Sequence, residues 1–127
     1  MVKYCSYLNG LNISYFYKNA DNLDFEDNSF KLISCNYLFH ELPYSAARNI
    51  IKEIYKKTNE DRIVSICDID PSKMKISPHR RYLFEMTEPH ISSYYSYSME
   101  KLLMESGFKN FKKNDNDPLN SIWLVQK

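Results

Sequence analysis

Two apolar segments with a helix between them, all within residues 30–67, restrict the possible folds more than any other feature of this chain. Residues 30–35 form a nearly continuous apolar run that predicts a strand buried on both faces. A helix is predicted to open at Pro43, and its apolar stripe consists of Ala47, Ile50, Ile51, Ile54 and Tyr55. Residues 62–67 predict a second strand. Because the connections are short, we expect a right-handed crossover and two parallel strands.

The polar side of that helix and the flanking segments lead to further expectations. The side turned to solvent is expected to carry Lys52, Glu53, Lys56 and Lys57, and residues 59–61 are expected to form the turn that ends the helix. Residues 13–17 are rich in β-branched and aromatic side chains and predict a strand. Residues 19–28 are polar and predict a loop. Residues 72–96 are irregular, with a helix expected only over 81–85.

The C-terminal third of the sequence predicts a helix followed by a hairpin. Ser98 is a suitable N-cap, and Gly107 suits the left-handed position that ends a helix. Residues 108–112 and 122–125 predict two strands, and the turn-rich segment between them indicates an antiparallel pair.

Size and composition limit the class of protein. The chain has 127 residues, which predicts a single domain spanning residues 1–127. Its formal net charge of +1 gives no field that favours nucleic acid or an anionic membrane surface, so neither partner is expected. No apolar run reaches the roughly 18 residues that span a bilayer. A basic patch at Lys73, Lys75, Arg80 and Arg81 is interpreted as a solvated face.

Cysteine and glycine usage exclude several kinds of site. Cys5, Cys35 and Cys67 are far apart and odd in number, which indicates reduced thiols in a cytoplasmic protein and no metal centre. His40-Glu41 could begin a zinc-protease helix, but the second histidine would fall at residue 44, which is Tyr44. Only two glycines occur, so a phosphate-cradling loop and a dinucleotide fingerprint are both excluded.

Four segments together are similar to class I S-adenosylmethionine-dependent methyltransferases of the type 11 kind. Residues 19–30 read N-A-D-N-L-D-F-E-D-N-S-F and resemble that family's D-A-E-x-L-P-F-x-D-x-S-F-D loop. Residues 39–43 match the segment after its fourth strand, and Asp68 matches the end of its fifth. Residues 88–89 and 106–108 match later segments. The likeness covers the C-terminal two-thirds of such a protein.

The resemblance implies an α/β fold with a partial Rossmann-like sheet. The sheet would be mostly parallel, with a C-terminal antiparallel hairpin, and the domain would be a truncated one. The family's first strands and its glycine-rich loop are absent and would precede Met1. Without those strands the family's fourth strand would present an unpaired edge, through which the chain could self-associate or bind a partner chain.

The resemblance also implies where S-adenosylmethionine would lie. Asn19 and the backbone N–H of Ala20 would face adenine, and Cys35, Asn36 and Tyr37 would line the methionine side. Asn19 stands where the family usually has an aspartate, and its carbonyl oxygen can still accept a hydrogen bond from adenine.

His40 is the candidate general base, because it lies just past the carboxyl end of a strand and imidazole titrates near neutral pH. The alternative is a helix-entry histidine that caps or packs. Asp68, His90 and Tyr94 are candidates for the substrate side. Asp68 and Asp70 could also cap the turn after their strand, and the aromatic residues could simply cover the core.

Two functions follow from this sequence. The first is a small-molecule methyltransferase, in truncated form and with doubtful activity alone. The second is a non-catalytic remnant or module that docks on another chain. In the first case the choice of methyl acceptor would depend on the irregular residues 72–96.

Overall fold

A computed structural model describes residues 10, 12–70, 72–73 and 77–127, except the side chain of Arg80. The elements in chain order are β1 (Phe30–Asn36), a 3-10 helix (Phe39–Glu41), α1 (Tyr44–Lys57), β2 (Thr58–Ile69), α2 (Pro78–Thr87), α3 (Ile91–Ser96), α4 (Met99–Glu105), β3 (Asn110–Asn114) and β4 (Asn120–Gln126). Among these helices, none is long and apolar enough to cross a membrane.

The strands form one mixed sheet in the order β1-β2-β4-β3. β1 and β2 are parallel, so the predicted β–α–β unit is confirmed. β4 is antiparallel to both of its neighbours, which confirms the C-terminal hairpin. The expectation of a mostly parallel sheet is wrong for the described residues. Only one of the three strand pairings is parallel, because β4 lies between β2 and β3 and runs against both.

The core lies on one face of this sheet. Its first row runs across three strands, with Ile33 paired to Val64 and Val64 paired to Val125. The next row runs through Ile66 to Trp123. The apolar faces of the helices α1 and α4 complete the same cluster, and their buried members are Ala47, Ile50, Ile51, Ile54, Met99, Leu102 and Leu103.

The opposite face of the sheet is open within the described part of the chain. Leu32 is 61% exposed, Ile63 is 49% exposed and Leu124 is 40% exposed. Leu32 is paired with Ile63 across the parallel strands, so these side chains lie on one face. The prediction that residues 30–35 are buried on both faces is therefore wrong. A continuous apolar run shows that a strand can be buried on both faces of a sheet. It does not show that other elements pack on both faces.

The junction of α1 and β2 differs from the predicted turn. β2 begins at Thr58, directly after the helix, and residues 59–61 lie inside an irregular part of the strand, with Asp61 at φ 56°. Lys57 is not on the solvent side. Its ammonium group is buried and donates to the Phe25 carbonyl at 2.8 Å and to Asp27 at 2.7 Å. The lysine thereby ties the loop of residues 19–28 to the end of the helix.

Two other segments depart from expectation. Residues 13–17 are exposed and form no strand, since no described strand lies beside them to pair with. Residues 72–96 contain more helix than predicted, because α2 spans Pro78–Thr87 and α3 was not expected at all.

The predicted boundaries of α4 are confirmed. The Ser98 hydroxyl accepts from the backbone N–H of Lys101 at 3.2 Å, and Gly107 has a φ of +106°. A Cβ atom on Gly107 would also lie 2.9 Å from the Tyr55 ring, so both backbone conformation and space require glycine here.

Candidate active site

The candidate site lies where β1 and β2 end. Because these strands are parallel, their carboxyl ends reach the same edge of the sheet, which is the usual place for ligands in open α/β folds. The 3-10 helix after β1 carries His40, and β2 carries Asp68 near its end. Tyr37 connects the two, because its backbone N–H donates to the Cys67 carbonyl at 2.8 Å.

Asp68 organises this edge. Its side chain is fully buried, and one carboxyl oxygen accepts from the backbone N–H of Phe39 at 2.8 Å. The other oxygen accepts from the backbone N–H of Ile69 at 2.8 Å and lies 2.6 Å from Nδ1 of His40. The carboxylate therefore bonds to its own strand, to the 3-10 helix and to the imidazole. It does more than cap a turn.

The hydrogen bond to Asp68 sets the orientation of the His40 ring. A carboxylate only accepts, so Nδ1 carries the hydrogen and the lone pair of the neutral ring lies on Nε2. The side chain is 8% exposed, and within the described residues Nε2 makes no hydrogen bond. His40 is thus packed at the entry to the 3-10 helix, and its second ring nitrogen has no hydrogen-bond partner among the described residues.

Tyrosines surround the imidazole. The rings of Tyr37 and Tyr94 each lie edge-on to His40, with centroids 6.4 Å away. The Tyr94 hydroxyl donates to the Ile69 carbonyl at 2.7 Å, and burial followed by the Asp68 charge raises the pKa of Tyr94 well above its usual value. Tyr94 therefore stays protonated and positions the end of β2. Tyr97 reaches the Phe39 carbonyl at 3.5 Å.

The remaining predicted site residues lie in more varied surroundings. Asn19 is exposed, and its side-chain oxygen accepts from the backbone of Asp21 at 3.4 Å. Ala20 packs against the core. Asn36 is exposed and donates to Ser34 at 3.3 Å. His90 is half-buried at the start of α3, where its carbonyl accepts from Tyr94.

Cys35 and Tyr37 have unusual local properties. Burial, followed by the Asp68 charge, raises the pKa of the Cys35 thiol to about 11, so this cysteine is an unreactive thiol at neutral pH. Cys35 and Cys67 are both free, and Cys5 lies outside the described residues. Tyr37 has a φ of 53°, a strained conformation for a bulky residue, and it directs the chain from β1 into the 3-10 helix.

A second polar cluster surrounds Asp70. Its carboxylate accepts from the Ser121 hydroxyl at 2.6 Å and from Ser72, and it lies 2.7 Å from the Lys113 ammonium. Burial alone would raise the pKa of Asp70, but the bonds from Lys113, Ser121 and Ser72 together hold it well below its ordinary value.

Beside Asp70 is a cavity of about 220 Å³ that the sequence did not predict. Its other lining residues are Ser72, Tyr94, Tyr95, Tyr97, Met99, Glu100, Lys113 and Trp123. Trp123 donates from its indole nitrogen to Glu100 at 2.8 Å, and the Lys113 ammonium lies 5.5 Å from the centre of the Trp123 ring. Strand alternation places Lys113 and Trp123 on the core side, which was the only sequence signal for this cluster.

The predicted basic patch is not a uniform surface. The Lys73 ammonium donates to the carbonyls of Asp117 and Asn120, at 3.0 and 2.6 Å. Arg81 is exposed and pairs with Glu85 at 3.1 Å. Lys75 and the side chain of Arg80 lie outside the described residues.

Comparison by sequence identifies no relative: no family model matches the chain, and no curated protein does. Comparison by structure finds solved structures with a similar fold. An S-adenosylmethionine-dependent methyltransferase from Archaeoglobus fulgidus matches with a TM-score of 0.71 and 13% identity, over 100% of this chain and 72% of that one. A second, from Aquifex aeolicus, matches with a TM-score of 0.68 and 15% identity, over 97% of this chain and 60% of that one.

A third match is phosphoethanolamine N-methyltransferase 2 from Haemonchus contortus, in complex with S-adenosyl-L-methionine. Its TM-score is 0.66 at 10% identity, over 85% of this chain and 35% of that one. These identities establish a common fold alone. The chain is thus similar in structure to S-adenosylmethionine-dependent methyltransferases over most of its length, and it spans between 35% and 72% of the length of these three structures.

Proposed function

We propose that this chain supplies part of an S-adenosylmethionine-dependent methyltransferase that acts on a small molecule. The observation that carries the proposal is the buried Asp68–His40 pair, 2.6 Å apart, at the carboxyl end of two parallel strands in a methyltransferase-like fold. A pair of this kind can take up one proton at a defined atom, which is the service that a methyl acceptor with an N–H or O–H group requires.

In this proposal His40 is the general base. S-adenosylmethionine, when bound, supplies the electrophilic methyl group, and the protein supplies position and a water-poor site. His40 Nε2 accepts the proton that the acceptor loses. Asp68 holds the ring in the tautomer that leaves Nε2 free, and it stabilises the imidazolium that forms. Tyr94 fixes the backbone at the end of β2.

The proposed cofactor contacts are Asn19, Ala20, Cys35, Asn36 and Tyr37, and the proposed substrate side is Asp68, His90 and Tyr94. These assignments are supported by where the residues lie in the fold. Cys35, Asn36 and Tyr37 are at the carboxyl end of β1, next to the base, and the loop containing Asn19 is tied to α1 through Lys57. Asn19 is exposed, so its side chain can exchange its weak bond to Asp21 for one from adenine.

Substitution of Asn19 tests the cofactor assignment. Calorimetric titration of the full chain with S-adenosylmethionine up to millimolar concentration should show saturable binding. Asn19→Ala should weaken it by about 2–10-fold, the usual effect of losing one hydrogen bond. Asn19→Asp keeps an acceptor and serves as the control, with affinity equal to or above that of the wild type. An absence of heat at millimolar cofactor would contradict the proposal for this chain by itself.

A second candidate function is a module that docks on another chain, and the open face of the sheet favours it. β1 has no neighbour on its outer edge among the described residues, and the exposed apolar side chains of Leu32, Ile63 and Leu124 lie on the uncovered face. An unpaired edge and an apolar face together are typical of a surface that another part of a protein covers. The partner would be a chain that adds strands beside β1 and helices over this face.

Leu32→Lys tests this second function. Light scattering of the wild-type chain at increasing concentration should show self-association through the uncovered edge, and the lysine should shift the protein towards monomer. Leu119→Lys is the matched control, since Leu119 is 57% exposed but lies in the β3–β4 connection. A wild-type chain that stays monomeric, or equal association of both variants, would argue against a docking surface at β1.

A further inference from the structure

We propose that His40, Glu41 and Glu88 form a binding site for a divalent transition-metal ion of the zinc or manganese class. A ring nitrogen of His40 and one carboxylate oxygen from each glutamate all lie within 4.8 Å of one another. The site is beside the carboxyl ends of β1 and β2, and its formation does not depend on methyl transfer.

The distances suit a small ion. Nε2 of His40 is 3.9 Å from the nearer Glu41 oxygen, which is too long for a hydrogen bond. Metal bonds of about 2.0–2.2 Å place two donors of one ion roughly 3–4 Å apart. Bringing donors that lie within 4.8 Å of one another to this spacing needs side-chain shifts of no more than about 2 Å, and the exposed Glu41 side chain is free to move.

The backbone around each glutamate is fixed. Glu41 lies in the 3-10 helix, where its N–H donates to the Leu38 carbonyl at 3.3 Å. Glu88 joins α2 to α3: its N–H donates to Phe84 at 2.8 Å, and its carbonyl accepts from Ile91 at 3.1 Å. The two carboxylates are thus brought to the imidazole by separate elements, 47 positions apart in the sequence.

His40 has the second partner that metal-binding histidines usually have. Such histidines donate their other ring N–H to a carboxylate, which fixes the tautomer and makes the ligating nitrogen more basic. Asp68 provides this bond at 2.6 Å, and Asp68 itself is held by two backbone N–H groups. The Nε2 atom, on a side chain only 8% exposed, has no hydrogen-bond partner in the described part of the chain and lies 3.9 Å from a Glu41 oxygen.

Charge provides an independent argument. Neither Glu41 nor Glu88 forms an ion pair with a lysine or arginine side chain that the structure describes. Two carboxylates held this close repel each other, and a divalent cation would neutralise both. One imidazole nitrogen with two carboxylate oxygens is a donor set that suits Zn²⁺, Mn²⁺ and Co²⁺ better than the all-oxygen shells of Ca²⁺ and Mg²⁺.

An ion on Nε2 and a proton on Nε2 exclude each other, so a bound ion would block the general base of the proposed function. The test uses the full chain after treatment with a chelator and its removal. Titration with Co²⁺ should give a visible d–d spectrum that saturates at one equivalent, and calorimetry with Zn²⁺ should give the same stoichiometry.

Three variants locate the site. Glu88→Gln and His40→Asn should each weaken Zn²⁺ binding at least 10-fold, while Glu105→Gln, an exposed glutamate on α4, should leave it unchanged. Asp68→Asn should weaken binding by about 10–100-fold, the usual effect of losing a partner of a ligating histidine. Glu88 is half-buried at a helix end, so its variant should keep the fold even if substitution of His40 or Asp68 does not.

Three results would overturn the proposal. One is the absence of saturable Zn²⁺ or Co²⁺ binding by the wild-type chain. Another is undiminished binding by Glu88→Gln. The third is a thiolate-to-cobalt charge-transfer band, which would place the ion on a cysteine. None of these measurements involves S-adenosylmethionine, so failure of the metal site leaves the proposed methyltransferase function standing, and the reverse also holds.

Discussion

Asp68→Ala is expected to lower the free energy of unfolding by about 3–5 kcal/mol, the usual effect of removing one partner from a buried charged network. The carboxylate is fully buried and accepts from the backbone of Phe39 and Ile69 and from the imidazole of His40. Alanine would leave all three donors buried without an acceptor, and each unsatisfied donor costs about 1–3 kcal/mol.

Urea unfolding followed by circular dichroism measures this loss. Asp68→Asn keeps one acceptor oxygen and the same volume, so its loss should be smaller than that of Asp68→Ala. Asp21→Asn, in the loop before β1, is the matched control and should change the midpoint little. If Asp68→Ala unfolds at the same urea concentration as the wild type, then Asp68 does not hold the site together and the account of His40 fails with it.

The second large expected effect is a loss of stability of the folded protein at acidic pH. Burial tends to raise the pKa of Asp70, but the hydrogen bonds from Lys113, Ser121 and Ser72 lower it by more. The pKa of Asp70 in the folded protein is therefore below the value of about 3.9 that an aspartate has in an unfolded chain. A lowered folded-state pKa contributes stability that is complete above the unfolded value. That contribution is lost as the pH falls from about 4 towards the folded value. Wild-type stability should therefore decline steeply below about pH 4.

Asp70→Asn isolates that contribution. The variant should be less stable at pH 7, by on the order of 3 kcal/mol, because Lys113 loses its closest anionic partner and the buried bonds weaken. Its unfolding free energy should also depend less on pH below about 4. Asp117→Asn, on the exposed turn before β4, is the control and should keep most of the wild-type acid profile. Parallel acid profiles for wild type and Asp70→Asn would contradict this assignment.

The sequence predicted correctly those parts of the fold that depend on residues close together in the chain. The periodicity of residues 47–55 identified α1, and Ser98 and Gly107 marked the ends of α4 because a hydroxyl cap and a left-handed glycine are local requirements. The parallel pairing of β1 and β2 followed from the short crossover between them.

The predictions that were wrong concern features that depend on contacts between distant parts of the chain. Lys57 appeared to be a surface residue by helical spacing, but carbonyl and carboxylate oxygens from the preceding loop make its burial possible. Leu32 appeared to be a core residue, but the described chain covers only one face of the sheet. Residues 13–17 have strand composition, and a strand still needs a neighbour with which to pair.

The same distinction between local and long-range features applies to the candidate site. The sequence predicted that His40 follows a strand and that Asp68 lies at the end of a strand. Their contact joins residues 28 positions apart and depends on the parallel pairing. The cluster of Asp70, Lys113 and Trp123 gave almost no sequence signal, because these residues come from the end of β2, from β3 and from the middle of β4 and are adjacent only in the folded sheet.

The most direct test of the central claim is a nuclear magnetic resonance titration of the ¹⁵N-labelled chain with S-adenosylhomocysteine, which probes the cofactor edge without requiring an acceptor. The account predicts saturable amide shifts concentrated at residues 19–20, 35–37 and 40, at the carboxyl end of the parallel pair. Shifts confined to the β3–β4 hairpin, or none at millimolar ligand, would contradict it.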